Sequence, residues 1–150
     1  MTKQTATGIL IMDFTRADTI ASEVLQIRAS EDIVLVRTAV RKAALSAKLG
    51  LVDQTKLVTA ASEIARNTLD YGKGGEVIIE RVQAAKLGVR LRFIDQGPGI
   101  SNIDLALTDG WTSGSGMGLG LSGTRRLMDE FEIASKPGEG TTVTITKWSR

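Results

Sequence analysis

Val89-Arg-Leu-Arg-Phe-Ile-Asp95-Gln-Gly-Pro-Gly99 is the stretch on which the fold turns. Val89, Leu91 and Phe93 alternate with Arg90 and Arg92, which predicts a strand with one apolar face. The strand runs directly into an aspartate and a Gly-Pro-Gly turn. Asp95 therefore stands at a strand end, where its carboxylate can accept a hydrogen bond from an exocyclic amine. Two glycines let a backbone approach a flat ligand closely. Taken alone, the same residues also suit an ordinary strand-to-helix turn.

Upstream, Glu76–Val82 alternates in the same way, and the short Lys86-Leu-Gly88 link makes the two strands an antiparallel hairpin. Gly72-Lys-Gly-Gly75 is a turn signal. Before it, Leu57, Ala61, Ile64 and Ala65 form one stripe of a helix that Asp53 can cap. An earlier helix opens at Ser30 as N-cap, carries Ile33, Val36, Val40, Ala44 and Ala47, and stops at Gly50. Ser22–Arg28 alternates weakly as a strand, and Gly8–Phe14 is an edge strand or a loose leader. Downstream, helical periodicity resumes over Arg125–Phe131. Glu132–Ser135 and Thr141–Trp148 form a closing hairpin turned at Lys136-Pro-Gly-Glu-Gly140. The order predicts a two-layer α/β (α+β) sandwich, with helices on one face of a mixed, mostly antiparallel sheet. Residues 1–22 are expected to be an N-terminal extension, a strand or poorly ordered, and residues 23–150 a single domain.

The 150-residue length fits one domain with its own core. Hydrophobic residues at 42% and charged residues at 24% exclude a disordered chain. The count of cysteine is 0 and of histidine 0, which removes disulfides, thiol nucleophiles, Cys- or His-based metal sites and phosphohistidine. A net charge of +2 is too balanced to argue for nucleic acid. No apolar run reaches the ~18 residues of a membrane span, and no export signal is evident. The expectation is a cytoplasmic protein with neither nucleic-acid nor membrane partners.

Two further constellations accompany the Asp95 turn. Glu63-Ile-Ala-Arg-Asn67 sits on the second helix. Its i,i+4 spacing brings Glu63 and Asn67 onto one face, about 5–6 Å apart at Cβ. A carboxylate beside an amide oxygen can orient a hydroxyl and ligate a hard cation such as Mg²⁺. A solvated helix face would look the same. Gly114-Ser-Gly-Met-Gly-Leu-Gly-Leu-Ser-Gly123 leads into a helix. Freed backbone N–H groups and a helix N-terminus make an anion site. A flexible linker is the alternative, disfavoured by the well-patterned helix that follows. No Lys or Arg lies between Arg92 and Arg125, so a phosphate held by this loop is neutralised by amides, the helix dipole and a metal ion. Gly118-Leu-Gly-Leu-Ser-Gly123 satisfies G-x-G-x-x-G, but no strand precedes it as a dinucleotide fingerprint requires. There is no Walker A sequence, and the eukaryotic-type kinase motifs are missing.

Jointly and in this order, the motifs resemble the GHKL ATPase superfamily, whose members share the Bergerat ATP-binding fold. Glu63…Asn67 is similar to its N box, Asp95–Gly99 to its first glycine box and Gly114–Gly120 to its second. Gly140-Thr141 resembles the Gly-Thr that supports adenine recognition. Thr59-Ala-Ala-Ser-Glu-Ile-Ala-Arg-Asn67, Asp109-Gly-Trp-Thr-Ser-Gly114 and Arg126-Leu-Met-Asp-Glu-Phe131 are similar to the anti-sigma-factor-type serine/threonine kinases. The resemblance implies ATP and Mg²⁺ as cofactors. It implies Glu63 as the residue that orients the attacking hydroxyl and Asn67 as the Mg²⁺ ligand. It assigns Asp95 and Thr141 to adenine, Gly97 and Gly99 to close approach, and Gly114, Gly116, Gly118, Leu119 and Gly120 to the phosphates. It implies a lid over residues 100–117, with Trp111 closing it, contacting a partner or packing. A basic residue often follows the N-box Asn by three in histidine kinases; here it is Asp70. The implied partners are a STAS-domain regulatory protein as substrate and a downstream effector such as a phosphatase. An anti-sigma factor sequestering a sigma factor, and a nucleotide-binding adaptor, are the alternatives.

Overall fold

The computed structural model describes residues 3–4, 9–11, 15–99 and 120–150. In chain order the elements are β1 (Lys3–Gln4), β2 (Ile9–Ile11), β3 (Asp18–Ile27), α1 (Ser30–Ser46), α2 (Leu51–Asp70), β4 (Gly75–Gln83), β5 (Leu87–Asp95), α3 (Gly120–Leu127), β6 (Glu130–Ser135) and β7 (Thr141–Trp148). The strands form one seven-stranded sheet in the order β1-β2-β6-β7-β5-β4-β3. Every pairing among the described residues is antiparallel, so the antiparallel character predicted for most of the sheet extends to all of it.

The period of two along each strand sends alternate side chains to opposite faces. Val77, Ile79, Val89, Leu91, Phe93, Phe131, Ile133, Val143 and Ile145 point to one face and are buried. They meet Ile33, Val36, Val40 and Ala44 of α1 and Leu57, Ala61, Ile64 and Ala65 of α2, which repeat at helical spacing. Residues at i+1 and i+3 on the strands, such as Arg90, Arg92, Thr144 and Thr146, lie on the face without helices. Residues 15–17 lie against that open face. Thr15 N–H donates to Glu130 Oε2 at 3.1 Å, and Arg90 Nη2 donates to Thr15 O at 3.0 Å.

Several local expectations are corrected. Ala29, not Ser30, is the N-cap of α1. Asp32 Oδ2 accepts from the Arg28 and Ala29 N–H groups at 2.8 and 3.0 Å, so an acid in the first turn reaches back to cap the helix. Gly50 is the N-cap of α2, and Asp53 lies inside its first turn, engaged with Lys147 and Arg150. The third helix ends at Leu127, and Phe131 sits opposite Ile145 in the sheet. Alternation of Phe131 and Ile133 with Glu130 and Glu132 wins there over the helical period. β3 begins at Asp18, so the division expected after residue 22 falls within a strand.

Candidate active site

The site is assembled where α2, the end of β5, the start of β7 and α3 converge. Asp95 is the last residue of β5 and pairs with Thr141, the first of β7. Asp95 Oδ1 accepts from Gly97 N–H at 2.9 Å and from Thr141 N–H at 3.2 Å. Oδ2 has no hydrogen-bond partner among the described residues. Burial pushes the Asp95 carboxyl up from its ordinary 3.8, partly offset by the Gly97 and Thr141 amides.

Asp95 lines a cleft with Asn67, Thr68, Tyr71, Gly72, Gly99 and Thr141. Ile64, Phe93, Leu121 and Val143 give it apolar walls. An apolar slot with a carboxylate oxygen open at its end suits a flat heterocycle bearing an amine. Thr141 Oγ1 lies 2.8 Å from Ser135 Oγ, which donates to Gly140 O at 3.1 Å, so the threonine is tied into the β6–β7 turn.

The two glycines of the turn make different contacts. A Cβ on Gly97 would lie 2.7 Å from Gly72 Cα, so its bareness serves contact between the loop and the end of α2. Gly97 is not among the cleft residues. Gly99, at φ +76°, does line the cleft, and a Cβ there would run into the Lys136 carbonyl oxygen. Pro98 O accepts from Gly138 N–H at 2.6 Å, which fastens the same loop to the β6–β7 turn. Gly72 belongs to the site and was legible only as a turn residue. A Cβ on it would lie 2.6 Å from Asp95 Oδ2, so only glycine leaves that carboxylate its place.

Glu63 lies one helical turn before Asn67 on α2, outside the cleft. It sits half-buried in an adjoining depression with Val58, Thr59, Ser62 and Arg66. Its Oε1 accepts from the N–H of Gly120, the first residue of α3, at 3.0 Å. Oε2 has no hydrogen-bond partner among the described residues. The structure thus brings Asn67, Asp95, Gly99 and Thr141 to one cleft, with Glu63 and Gly120 joined beside it. Gly114, Gly116, Gly118, Leu119, Trp111 and the lid expected over 100–117 lie outside the described residues. The apolar cleft residues Ile64, Phe93, Leu121 and Val143 were legible as core but not as walls.

Among the described residues no three acidic side chains gather as a metal cage. A hard cation at this site would take the Asn67 amide oxygen together with oxygens of its own ligand, a pattern that suits Mg²⁺. No helix among the described residues is long and apolar enough to cross a membrane.

A family model described as the histidine kinase-, DNA gyrase B- and HSP90-like ATPases matches residues 52–149. The chain belongs to this ATPase family. Membership of this family implies that the chain binds ATP. The chain is 42% identical over 127 residues to the serine/threonine-protein kinase RsbT of Bacillus subtilis, covering 84% of this chain and 96% of RsbT. It is 29% identical over 124 residues to the anti-sigma F factor of Thermoanaerobacter sp., covering 79% of this chain and 87% of that protein. Among solved structures, the RsbU and RsbW domains of Rv1364c from Mycobacterium tuberculosis align over 87% of this chain and 33% of that one. The TM-score is 0.60 at 22% identity, a likeness of fold.

Proposed function

We propose that this chain is an ATP-dependent serine/threonine protein kinase that regulates by partner switching. Its substrate is a hydroxyl of a STAS-domain regulatory protein, and after transfer it binds a downstream effector such as a phosphatase. The observation that supports this best is the alignment of groups along α2. Asn67 lines the cleft that holds Asp95 and Thr141, and Glu63 stands one turn away with Oε2 unpartnered among the described residues. The 42% identity to a protein named as a serine/threonine kinase supports the same reading.

In this scheme ATP with Mg²⁺ supplies the phosphoryl group and the charge that neutralises it. Asp95 Oδ2 would accept from the adenine amine, with Ile64, Phe93, Leu121 and Val143 against the ring. Asn67 would hold the cation. The Gly120 N–H is already committed to Glu63. That bond fixes the carboxylate relative to the helix start where phosphates are held. Glu63 would orient the acceptor hydroxyl and take its proton as the oxygen attacks the γ-phosphorus in line, the bond to the bridging oxygen breaks and ADP leaves. Positioning and charge stabilisation do most of the work. The kinase domain includes all of β3, from Asp18 onward.

The test is transfer from γ-labelled ATP to a STAS-domain protein. Glu63→Gln should lower the transfer rate roughly 100-fold or more, while ATP affinity stays within about threefold. Transfer by the variant at the wild-type rate refutes the role of Glu63. Capture of a sigma factor without any transfer would favour the anti-sigma alternative.

A further inference from the structure

The depression that holds Glu63 does not end at α2. It is lined by Ile33, Arg37, Val58 and Arg66 as well. A second depression, lined by Val34, Arg37, Thr38, Arg41, Lys42, Leu45 and Val58, shares Arg37 and Val58 with it. The two form one groove along the outer side of α1 and α2, running from Leu45 to Glu63.

Its walls have an unusual chemistry for a solvated helix face. Val34 is 60% exposed and Leu45 59% exposed, and Leu35 flanks them at 59%. Positions 34, 38, 41 and 45 repeat at i, i+4, i+7 and i+11, so they form one stripe opposite the buried one. On the α1 side the charges have one sign, and the acid Glu63 stands at the far end of the groove on α2. Ile33–Val52 contains Arg37, Arg41, Lys42 and Lys48 and no acid. Arg37, Arg41, Lys42 and Arg66 make no ion pair among the described residues.

We infer that this groove is the docking surface for the substrate protein. The partner presents an acidic ridge with apolar side chains that seat between Val34 and Leu45, and its acceptor hydroxyl reaches the Glu63 end. The inference rests on the kinase reading above and adds where, and by what chemistry, the substrate is recognised. Charge selects the occupant. A second copy of this chain packed two-fold on the same helix would set cations against cations, which costs association energy. An acidic partner pairs them. An apolar stripe beside the cations supplies the desolvated centre that a specific interface needs.

The experiment compares wild type with the double variant Arg41→Glu/Leu45→Ser, against one STAS-domain protein with an acidic surface. Binding is measured directly by calorimetry, and transfer by γ-labelled ATP. Both positions are solvent-facing, so the fold should be retained. The variant should bind the STAS protein at least roughly tenfold more weakly and show a matching rise in KM with kcat within about twofold. Its own affinity for ATP should not change. Wild-type binding should weaken as salt rises, and the variant should lose that dependence. If the variant binds as tightly as wild type, or wild type does not bind, the groove is not the docking surface. If wild type sediments as a dimer that the variant abolishes, a second copy covers the groove and the inference is overturned. If wild type binds and the variant does not, yet no phosphoryl is transferred, the groove stands as a docking surface and the kinase reading fails.

Discussion

At Asp95 one carboxylate oxygen already accepts two backbone amides, and burial still holds the group above its ordinary 3.8. The folded chain therefore keeps this proton more tightly than the unfolded chain does. As pH rises from 3.8 through the folded value, Asp95 becomes a growing penalty on folding, and at neutral pH the penalty is fully present. The charge is tolerated because the proposed amine of adenine uses it. Asp95→Asn keeps an oxygen for the Gly97 and Thr141 amides but turns a donor toward the amine. The free variant should melt at or above the wild-type temperature at pH 7. Its ATP affinity should fall roughly 30-fold, about 2 kcal/mol, as expected for a lost hydrogen bond to a charged group. Differential scanning calorimetry and titration with ATP measure the two effects separately. In wild type, ATP affinity should start to fall on acidification at a pH above that of an ordinary aspartate. An affinity flat down to pH 4 would contradict the role of Asp95.

At the scale of elements, one charge cluster ties the start of α2 to the end of β7. Lys147 is 3% exposed, and its Nζ lies 3.7 Å from Asp53 Oδ1, 3.4 Å from Asp129 Oδ1 and 3.0 Å from Leu127 O. Burial raises the Asp53 carboxyl, but the Arg150 hydrogen bond and the charges of Lys147, Arg150 and Lys56 together bring it below 3.8. A depressed acid contributes stability above its unfolded pKa and loses it as pH falls through the folded value. Lys147→Met leaves two carboxylates without their buried counter-charge and should cost about 3 kcal/mol at pH 7 in urea unfolding. The deficit should shrink as pH drops through the depressed Asp53 value. The cluster also explains what the sequence concealed. Asp53 three residues after Gly50 has the form of a helix cap, and nothing local says that its partner is Lys147. Likewise the apolar periods of α1, α2, β4 and β5 were legible, because each element buries one whole face. The start of α3 was not, because Gly120–Thr124 buries glycines, Ser122 and Thr124 around one large apolar side chain, Leu121, too few to make a stripe. For the site, Asn67 and Asp95 were legible as polar groups at a helix face and a strand end, and Thr141 only through the resemblance of Gly140-Thr141. Gly72 and the apolar walls were not, since their roles exist only once the elements meet.

For the molecule as a whole, the sheet has two faces under different physical control. On one face Phe93 and Val143 belong both to the core and to the wall of the candidate cleft. On the other, Arg90 and Glu130 form an ion pair at 3.1 Å, with side chains only 13% and 8% exposed. Glu130 Oε2 also accepts from Trp148 Nε1 at 3.2 Å, and the Arg90 guanidinium lies 6.0 Å from the centre of the Trp148 ring. Thr15 bonds to both members of the pair, so this residue, three before β3, is held by a charge pair. Arg90→Met removes the donor to Thr15 and leaves Glu130 buried without its counter-charge. The cost should be about 3 kcal/mol in urea unfolding. The segment ahead of β3 should also loosen, which trypsin would report as faster cleavage after the exposed Arg16. ATP affinity should stay at the wild-type level, because Arg90 and the cleft residue Phe93 project from opposite faces of β5. A variant that lost ATP affinity in proportion to stability would mean that the two faces are coupled through the sheet, and that the open face acts on the nucleotide site.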